Sequence, residues 1–275
     1  MEKKLISVVT VCLNAEKDIE YTINSILNQS FADYEYLIID GQSDDATVEI
    51  AEIYKARFLE KGISFRIISE KDEGLYDAMN KAAEYALGQW IIYINAGDAL
   101  FDDAVLAHLA SEISDDTDVL YGDVVLLDHR KYKLLKAGGI DRFKSRNPVC
   151  HQASLTKADV IRKFRFNGEY EIAADFDLFL RICLSNDKAF KKIDYVFAIY
   201  PLGGVSNAVS KREKEFDASR KQNKAKRVAF PHLQMMWIVL VEKIRKAAIK
   251  ILGKGFYSRK RGWYSDKAQA AAQEK

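Results

Sequence analysis

The sequence has few cysteines and prolines, and it lacks long apolar runs. Its 275 residues include three cysteines and three prolines. Cys12, Cys150 and Cys183 are scattered and odd in number, which indicates a reducing, cytoplasmic compartment and no disulfide framework. No apolar stretch approaches the roughly 20 residues that span a bilayer. Leu5–Leu13 follows two lysines, but it is short and no small-residue cleavage site comes after it, so it is better interpreted as a buried strand than as a signal peptide.

An excess of charge of one sign is also missing. The chain has 42 Lys and Arg, 40 Asp and Glu, and a formal net charge of +2. This balance gives no indication of a nucleic-acid partner. The length suits one large domain, or a domain with an appendage.

Three motifs that would assign a nucleotide or metal site are absent. There is no G-x-G-x-x-G after the first predicted strand, no Walker-type lysine loop and no Cys/His zinc spacing. These absences argue against dinucleotide oxidoreductases, P-loop enzymes and zinc sites. A phosphate site built without them more often uses a divalent cation held by a carboxylate.

The first hundred residues alternate between apolar runs and helical patterns. The runs predict buried strands at Leu5–Leu13, Tyr34–Ile39, Phe65–Ser69 and Trp90–Ile94. The helical patterns cover residues 19–27, 48–58 and 76–86. This order predicts an α/β fold, with a mixed, mostly parallel sheet flanked by helices.

The regular alternation of strands and helices ends after residue 100, and no internal repeat is visible. Helices are predicted at Asp103–Ile113, Thr156–Lys163 and Ala173–Leu184. Strands are predicted at Val119–Gly122 and Lys192–Tyr200, with an irregular hairpin over Val124–Leu135. Residues 1–225 are interpreted as the main domain, and residues 226–275 as an amphipathic, basic helical segment.

Polar residues follow all four N-terminal strands. The strands end at or lead into Asn14, Asp40, Asp72 and the stretch Asn95-Ala-Gly-Asp98. Ligands of open parallel sheets bind beyond the carboxyl ends of the strands, so these side chains are expected on one rim. Asp98 could hold a divalent cation there. The structural alternative is that such residues only cap helices, which accounts for Asp45.

Four segments in this order resemble the successive motifs of family 2 glycosyltransferases. They are Ser7–Asn14, Ile39–Thr47, Ser69–Asn80 and Tyr93–Asp98, and the resemblance extends over about residues 5–205. It is nearest to the bacterial branch of capsule, O-antigen and colanic-acid assembly. The resemblance implies a GT-A fold, a UDP- or GDP-sugar donor, Mg2+ or Mn2+, inversion at the anomeric carbon, and a saccharide or polyprenyl-diphosphate-linked acceptor.

The resemblance also implies roles for individual positions on the donor side. The metal ligand would be Asp98, the only carboxylate left in its motif, because Asn95 and Gly97 replace residues of the commoner Asp-Ala-Asp-Asp form. Asp40 and Asp72 would lie against the base and ribose. The other donor-side positions would be Leu13, through its backbone at the base, Asn80, near the phosphates or sugar, Asn95 and Gly97.

A further acid is needed as the base that takes the proton of the acceptor hydroxyl. Asp175, in the stretch Ala173–Arg181, aligns with the family base, although Ala174 stands where Glu is frequent. The alternative is a first-turn acid stabilised by the helix dipole. Asp177 is expected to hold structure, and Arg181 to pair with an acid.

Two further features concern the acceptor. His151-Gln152 resembles a pair beside the reaction cleft and implies an acceptor or phosphate role, although a lone histidine is commonly structural. The Gln-x-x-Arg-Trp element of processive family members is not present, which favours addition of one sugar per acceptor. Two other interpretations stay open: a sugar nucleotidyltransferase, although the loop after strand one has no glycine, and an inactive paralogue that binds sugar nucleotides or serves as a scaffold.

The last segment combines apolar, aromatic and basic residues. Leu233–Val241 is apolar but too short to span a bilayer, and a basic stretch from Lys243 to Arg261 follows. Residues 232–264 thus suit a helix lying on an anionic membrane surface, which would make the protein peripheral. The alternative is that the segment packs on the main domain or on a second subunit.

Overall fold

The computed structural model describes residues 4–128, 131–202 and 209–225, together with residues 240, 264 and 267. The strands are β1 (Ile6–Cys12), β2 (Tyr34–Asp40), β3 (Ser64–Ser69), β4 (Trp90–Tyr93), β5 (Ala99–Leu100), β6 (Val119–Asp128), β7 (Lys131–Leu135), β8 (Ser154–Lys157) and β9 (Phe190–Pro201). The α-helices are α1 (Ile19–Leu27), α2 (Thr47–Ile53), α3 (Lys55–Glu60), α4 (Leu75–Tyr85), α5 (Val105–Glu112), α6 (Ala158–Phe164), α7 (Ala174–Ser185) and α8 (Val209–Gln222).

These strands form one mixed sheet in the order β3-β2-β1-β4-β8-β6-β9-β5, and β7 pairs with β6. β1 is parallel to both β2 and β4, and β2 is parallel to β3. β8 is antiparallel to β4 and to β6. The chain order therefore reverses at β1, with β2 on one side and β4 on the other. Such a reversal opens a crevice at the carboxyl ends of the strands, where ligands of open sheets bind.

The core lies on both faces of this sheet. Every residue of β1 is buried, with Val8 facing one apolar cluster and Val9 facing the other. Helices α1, α2, α3 and α5 cover the first face, and α4, α6, α7 and α8 cover the second. Because helices cover both faces of the sheet, the sequences of the strands are continuous apolar runs and do not alternate between apolar and polar residues.

Three predicted elements differ from the structure. Thr156–Lys163 is not one helix, because Thr156 and Lys157 belong to β8 and α6 begins at Ala158. β8 is set by its pairing with β4 and β6, which a local pattern does not contain. Val119–Gly122 continues into the hairpin as the ten-residue strand β6, with its register to β9 shifted near Asp123. Residues 48–58 divide into α2 and α3 at Tyr54.

Most of the predicted C-terminal segment, residues 226–275, lies outside the described residues, and so does most of the 232–264 membrane stretch. Tyr264 forms an antiparallel bridge with Tyr132 of β7, through two N–H···O bonds of 2.8 Å. The Lys267 ammonium donates to the Phe101 carbonyl at 2.6 Å. These two residues therefore pack on the main domain. Within the described ranges, no helix is long and apolar enough to cross a membrane.

Asp177 fastens α7 to α8. Its carboxylate is buried, with 1% exposure, and Oδ2 accepts from Arg181 Nε at 2.7 Å. Oδ1 accepts from the Ser219 hydroxyl at 2.7 Å and from the Asn223 amide at 3.0 Å. This confirms that Asp177 holds structure and that Arg181 pairs with an acid.

We predict that Asp177→Ala lowers the free energy of unfolding by about 3 kcal/mol. Removing the carboxylate leaves the Arg181 cation and the buried polar groups around it without their partner. Urea unfolding followed by circular dichroism measures this change. Asp116→Ala, at an exposed position, is the control and should change stability by less than about 0.5 kcal/mol. An equally small effect of Asp177→Ala would contradict the prediction.

Candidate active site

The loops that follow β1 and β2 are fastened to each other at the crevice. The Asn14 N–H donates to Ser43 Oγ at 2.8 Å, and the Asp44 N–H donates to Asn14 Oδ1 at 3.0 Å. Asn14 adopts a φ of 51°, a left-handed conformation that asparagine tolerates better than most residues. The rim of the crevice is thus held by side-chain bonds between the two loops.

Asp40 supports this rim from inside. It is fully buried, and its carboxylate accepts from the Ser43 N–H at 3.0 Å, from the Ser43 hydroxyl and from the Ser69 hydroxyl at 2.6 Å. The expected place of Asp40 against the base and ribose stays a prediction. As the last residue of β2, it is covered by the loops that it holds.

Asp72 and Leu13 meet at the surface of the rim. The Leu13 side chain is 57% exposed, and Asp72 Oδ1 accepts from the Gly74 N–H at 2.8 Å. A Cβ on Gly41 would come within 2.5 Å of Asp72 Oδ2 and 3.4 Å of Leu13 Cδ1. Gly41 therefore lies between the Leu13 and Asp72 side chains, and a larger residue at this position would displace the Asp72 carboxylate.

Asn80 makes a structural contact that its sequence motif does not predict. It is buried on α4, where its Nδ2 donates to the Phe166 carbonyl and its Oδ1 accepts from the Phe166 N–H, both at 2.9 Å. This two-way pair holds the segment between α6 and α7 against α4. The Asn80 amide therefore makes an internal contact, and its expected place near the phosphates or sugar stays a prediction.

The turn Asn95–Asp98 follows β4 and is shaped by Thr22 and Gly97. Gly97 has a φ of 94°, which favours glycine. Its N–H donates to Thr22 Oγ1 at 2.9 Å, and that hydroxyl donates to the Asp98 carbonyl at 2.7 Å. Sequence reasoning missed Thr22, whose only signal is that it is a polar residue next to Ile23 on the apolar face of α1.

Asp98 is a nearly buried carboxylate. It is 7% exposed, and its Oδ2 accepts from Gln152 Nε2 at 3.1 Å. Burial raises the pKa of Asp98 to about 6, although His151 and the Gln152 hydrogen bond act in the opposite direction. A buried carboxylate with a raised pKa inside a crevice is more typical of a functional site than of a structural one.

Asn95 adds a second oxygen next to Asp98. Its Oδ1 is buried and has no hydrogen-bond partner among the described residues. Carboxylate and amide oxygens are ligands that Mg2+ and Mn2+ accept, so the residues fit a partial cation site. The described residues contain no group of three His, Cys, Asp or Glu side chains that could hold a metal. A bound cation would complete its coordination with other oxygens.

Asp175 lies in the first turn of α7, with its side chain 14% exposed. Its Oδ1 accepts from the Phe176 N–H at 2.6 Å, and Oδ2 accepts from Asn147 Nδ2 at 3.3 Å. The His151 Nδ1 atom lies 3.5 Å from Oδ2. Asn147 is a second residue that sequence reasoning missed, and only its place before Pro148 marked it.

The structure thus brings the two predicted acids to one turn. Gln152 contacts Asp98, and the neighbouring His151 contacts Asp175. Leu13 and Asp72 lie at the rim, Asp40 supports the rim from within, and Asn80 holds the segment between α6 and α7. The arrangement combines a recessed oxygen pair for cation or donor binding with a separate carboxylate that can accept a proton.

The model of "Glycosyl transferase family 2" matches residues 7–157. The chain belongs to this family. A family 2 match agrees with the motif order and favours a glycosyltransferase over a sugar nucleotidyltransferase.

Known relatives of this family 2 chain are glycosyltransferases. A "PGL/p-HBAD biosynthesis glycosyltransferase" of Mycobacterium tuberculosis is 30% identical over 218 residues, which cover 78% of this chain and 83% of the relative. The Escherichia coli "UDP-Glc:alpha-D-GlcNAc-diphosphoundecaprenol beta-1,3-glucosyltransferase WfgD" is 25% identical over 130 residues, 47% of this chain and 49% of that enzyme.

A solved structure confirms the GT-A fold of the family 2 domain. The mannosyltransferase PcManGT from Pyrobaculum calidifontis, in complex with GDP-Man and Mn2+, aligns with a TM-score of 0.62. The alignment covers 92% of this chain and 77% of that chain, at 15% identity. The similarity therefore extends well beyond the residues matched by the family model.

We predict that Asp98→Asn stabilises the metal-free glycosyltransferase at alkaline pH. Folding raises the pKa of Asp98 from 3.8 to about 6, so the native state binds this proton more tightly than the unfolded state. Its contribution to stability is present at low pH and is lost as the pH rises through 6. The neutral variant avoids that loss, which is about 3 kcal/mol.

Urea unfolding in EDTA at pH 5 and pH 8 tests this prediction. The advantage of Asp98→Asn over wild type should grow between these values, and it should be absent for Asp116→Asn. If Asp98→Asn were less stable than wild type at pH 8, burial of the ionised Asp98 carboxylate would not destabilise the protein, and the prediction would be wrong.

Proposed function

We propose that this protein is an inverting, metal-dependent glycosyltransferase of surface polysaccharide biosynthesis. It transfers one sugar from a nucleotide-diphosphate sugar to a saccharide or lipid-linked acceptor. The observation that carries this proposal is the placement of Asp98 and Asp175 on two sides of the His151-Gln152 turn. Asp98 follows β4 at the donor end of the sheet, whereas Asp175 begins α7 on the other side of that turn.

Asp175 has the properties of the base in a single in-line displacement. Its carboxylate is oriented by neighbouring donors and remains partly exposed. In the proposed step it accepts the proton of the acceptor hydroxyl while that oxygen bonds to the anomeric carbon. The bond from the anomeric carbon to the diphosphate oxygen breaks, and its electron pair leaves with the nucleotide diphosphate. Attack opposite the leaving group inverts the anomeric carbon.

The donor would lie across the crevice from the rim to the Asn95–Asp98 turn. The exposed Leu13 side chain and the Asp72 carboxylate, on either side of Gly41, suit a base and ribose, because they offer an apolar surface and a hydrogen-bond acceptor. UDP- and GDP-sugars are the candidate donors, since relatives act on or bind one of each.

Asp98 and the Asn95 Oδ1 atom would hold Mg2+ or Mn2+ against the diphosphate of the donor. When bound, the cation would stabilise the negative charge that develops on the leaving diphosphate. The Mn2+ in the related mannosyltransferase supports this assignment. The backbone turn at Gly97 would shape this part of the donor site.

We predict that Asp175→Asn lowers kcat for donor hydrolysis by about 1,000-fold with little change in donor KM, because it removes the base and keeps the shape. Asp98→Asn should lower kcat/KM by about 100-fold and weaken the dependence on Mn2+. Release of nucleotide diphosphate from UDP-glucose and GDP-mannose measures both effects.

A thermal-shift titration with the same donors provides the control for folding and binding. Donor binding that persists in all three proteins, with equal and negligible hydrolysis, would favour an inactive sugar-nucleotide-binding paralogue. Wild-type hydrolysis by Asp175→Asn would remove Asp175 from the role of base.

The acceptor is proposed to be presented at an anionic membrane surface. A relative's substrate is a diphosphoundecaprenol-linked sugar, and the basic stretch from Lys243 to Arg261 has the composition of a lipid-surface segment. Tyr264 and Lys267 contact the main domain, which would keep the end of this segment beside β7 and Phe101.

We predict that replacing Lys243, Arg245, Lys246 and Lys250 with glutamate releases the protein from vesicles of anionic phospholipid, because each basic residue contributes about 1 kcal/mol at such a surface. Vesicle co-sedimentation at low salt measures the bound fraction. Replacement of Lys55, Lys133, Lys188 and Lys192 is the control for net charge. Unchanged co-sedimentation of the first variant would argue that the segment packs on protein.

A further inference from the structure

The short 3-10 turn His151–Ala153 leads directly into β8, and β8 pairs with β4. This pairing brings the turn to the end of β4, next to Asp98. The Ala153 N–H donates to the Cys150 carbonyl at 3.0 Å, and the Ser154 hydroxyl donates to the His151 carbonyl at 3.0 Å. The backbone of the turn is therefore fixed by its own bonds.

The Cys150 thiol fixes which end of the Gln152 amide faces Asp98. Cys150 Sγ donates to Gln152 Oε1 at 2.8 Å, and Gln152 Nε2 donates to Asp98 Oδ2 at 3.1 Å. Burial raises the pKa of the Cys150 thiol, so it keeps the hydrogen that it donates. A reversed amide would place two oxygens together at Asp98. Gln152 can therefore support Asp98 in one orientation only.

The contacts of His151 define its tautomer. Nε2 lies 3.3 Å from the Asn95 Nδ2 atom, and an amide nitrogen can only donate. With Nε2 as the acceptor, the ring carries its hydrogen on Nδ1, which lies 3.5 Å from Asp175 Oδ2. Both ring nitrogens thus lie within 3.5 Å of polar protein atoms. The acceptor or phosphate role expected for His151 stays a prediction.

These contacts also distinguish the two oxygens of Asp175. Oδ2 lies close to two donor nitrogens, Asn147 Nδ2 at 3.3 Å and His151 Nδ1 at 3.5 Å. Oδ1 accepts one bond, from the Phe176 N–H, and keeps a second direction free of the contacts described here. Oδ1 is thus the atom presented to an acceptor hydroxyl.

We propose that the His151-Gln152 turn is a positioning element that orients Asp175 and Asp98 together, with His151 acting on the base through its Nδ1–H. This inference rests on the proposed function, because it takes Asp175 as the base. Neither residue needs to touch the substrate. A shift of this turn would move the base and the donor-side acid at the same time.

A matched pair of variants tests the role of His151. In His151→Asn the amide lies near the former Nδ1 position, whereas in His151→Gln it reaches the former Nε2 position. We expect His151→Gln to lower kcat for hydrolysis of UDP-glucose or GDP-mannose by about 50-fold, with donor KM within about twofold of wild type. His151→Asn should keep kcat within about fivefold of wild type, because the donor to Asp175 is retained. Equal losses in the two variants, or a larger loss in His151→Asn, overturn the proposal.

A second measurement uses the unmodified protein, so it does not depend on the folding of a variant. Long-range 1H–15N correlation spectra distinguish the two neutral histidine tautomers. The chain has four histidines, and the signal missing from His151→Asn identifies His151. A ring with its hydrogen on Nδ1 is expected, and a hydrogen on Nε2 alone overturns the proposal.

The same assays separate this inference from the proposed function. If Asp175→Asn hydrolyses the donor at the wild-type rate, Asp175 is not the base and the proposed function fails at that step. If Asp175→Asn is inactive while His151→Gln keeps the wild-type kcat, the base assignment stands and only the positioning role is removed.

Discussion

The antiparallel pairing of β8 with β4 is the interaction on which the candidate site depends. β1, β2 and β4 are parallel, and their carboxyl ends alone form a donor-type crevice. β8 runs against β4, so the turn that precedes β8 lies beside the residues that follow β4. Asp98 therefore meets Gln152, and the adjacent His151 extends the contact to α7. One strand pairing connects the parallel and antiparallel halves of the domain.

The burial of Asp98 lowers the stability of the protein at a position that is proposed to be functional. Burial raises its pKa, so its ionised form destabilises the metal-free protein near neutral pH. The surrounding fold tolerates that cost because β1 and α1 bury a continuous apolar core beneath the turn. Gln152 offsets part of this cost, and the proposed cation would offset more of it. Such a residue is expected at a binding site and would be a poor choice for a purely structural position.

The sequence predicted the first four strands well, because burial on both faces makes each of them a continuous apolar run. It also located Asp98 after a strand and Asp175 in the first turn of a helix. It failed at β8, since two of its four residues read as the start of a helix and its partners are distant in the chain. It also did not show that Asp40 and Asn80 point inward. Local patterns locate the backbone, whereas the direction of a side chain depends on distant donors such as Ser69 and Phe166.

The loss of companion acids around Asp98 has a thermodynamic consequence for the proposed cation. Asn95 and Gly97 supply no second carboxylate, so the part of the chain that the structure describes offers an incomplete oxygen shell. The diphosphate of the donor would provide the missing negative charge. Cation and donor would then each raise the affinity for the other by the same factor, because coupling between two bound ligands is reciprocal. The free protein would hold the cation weakly, and the buried Asp98 would take up its full charge when the donor arrives.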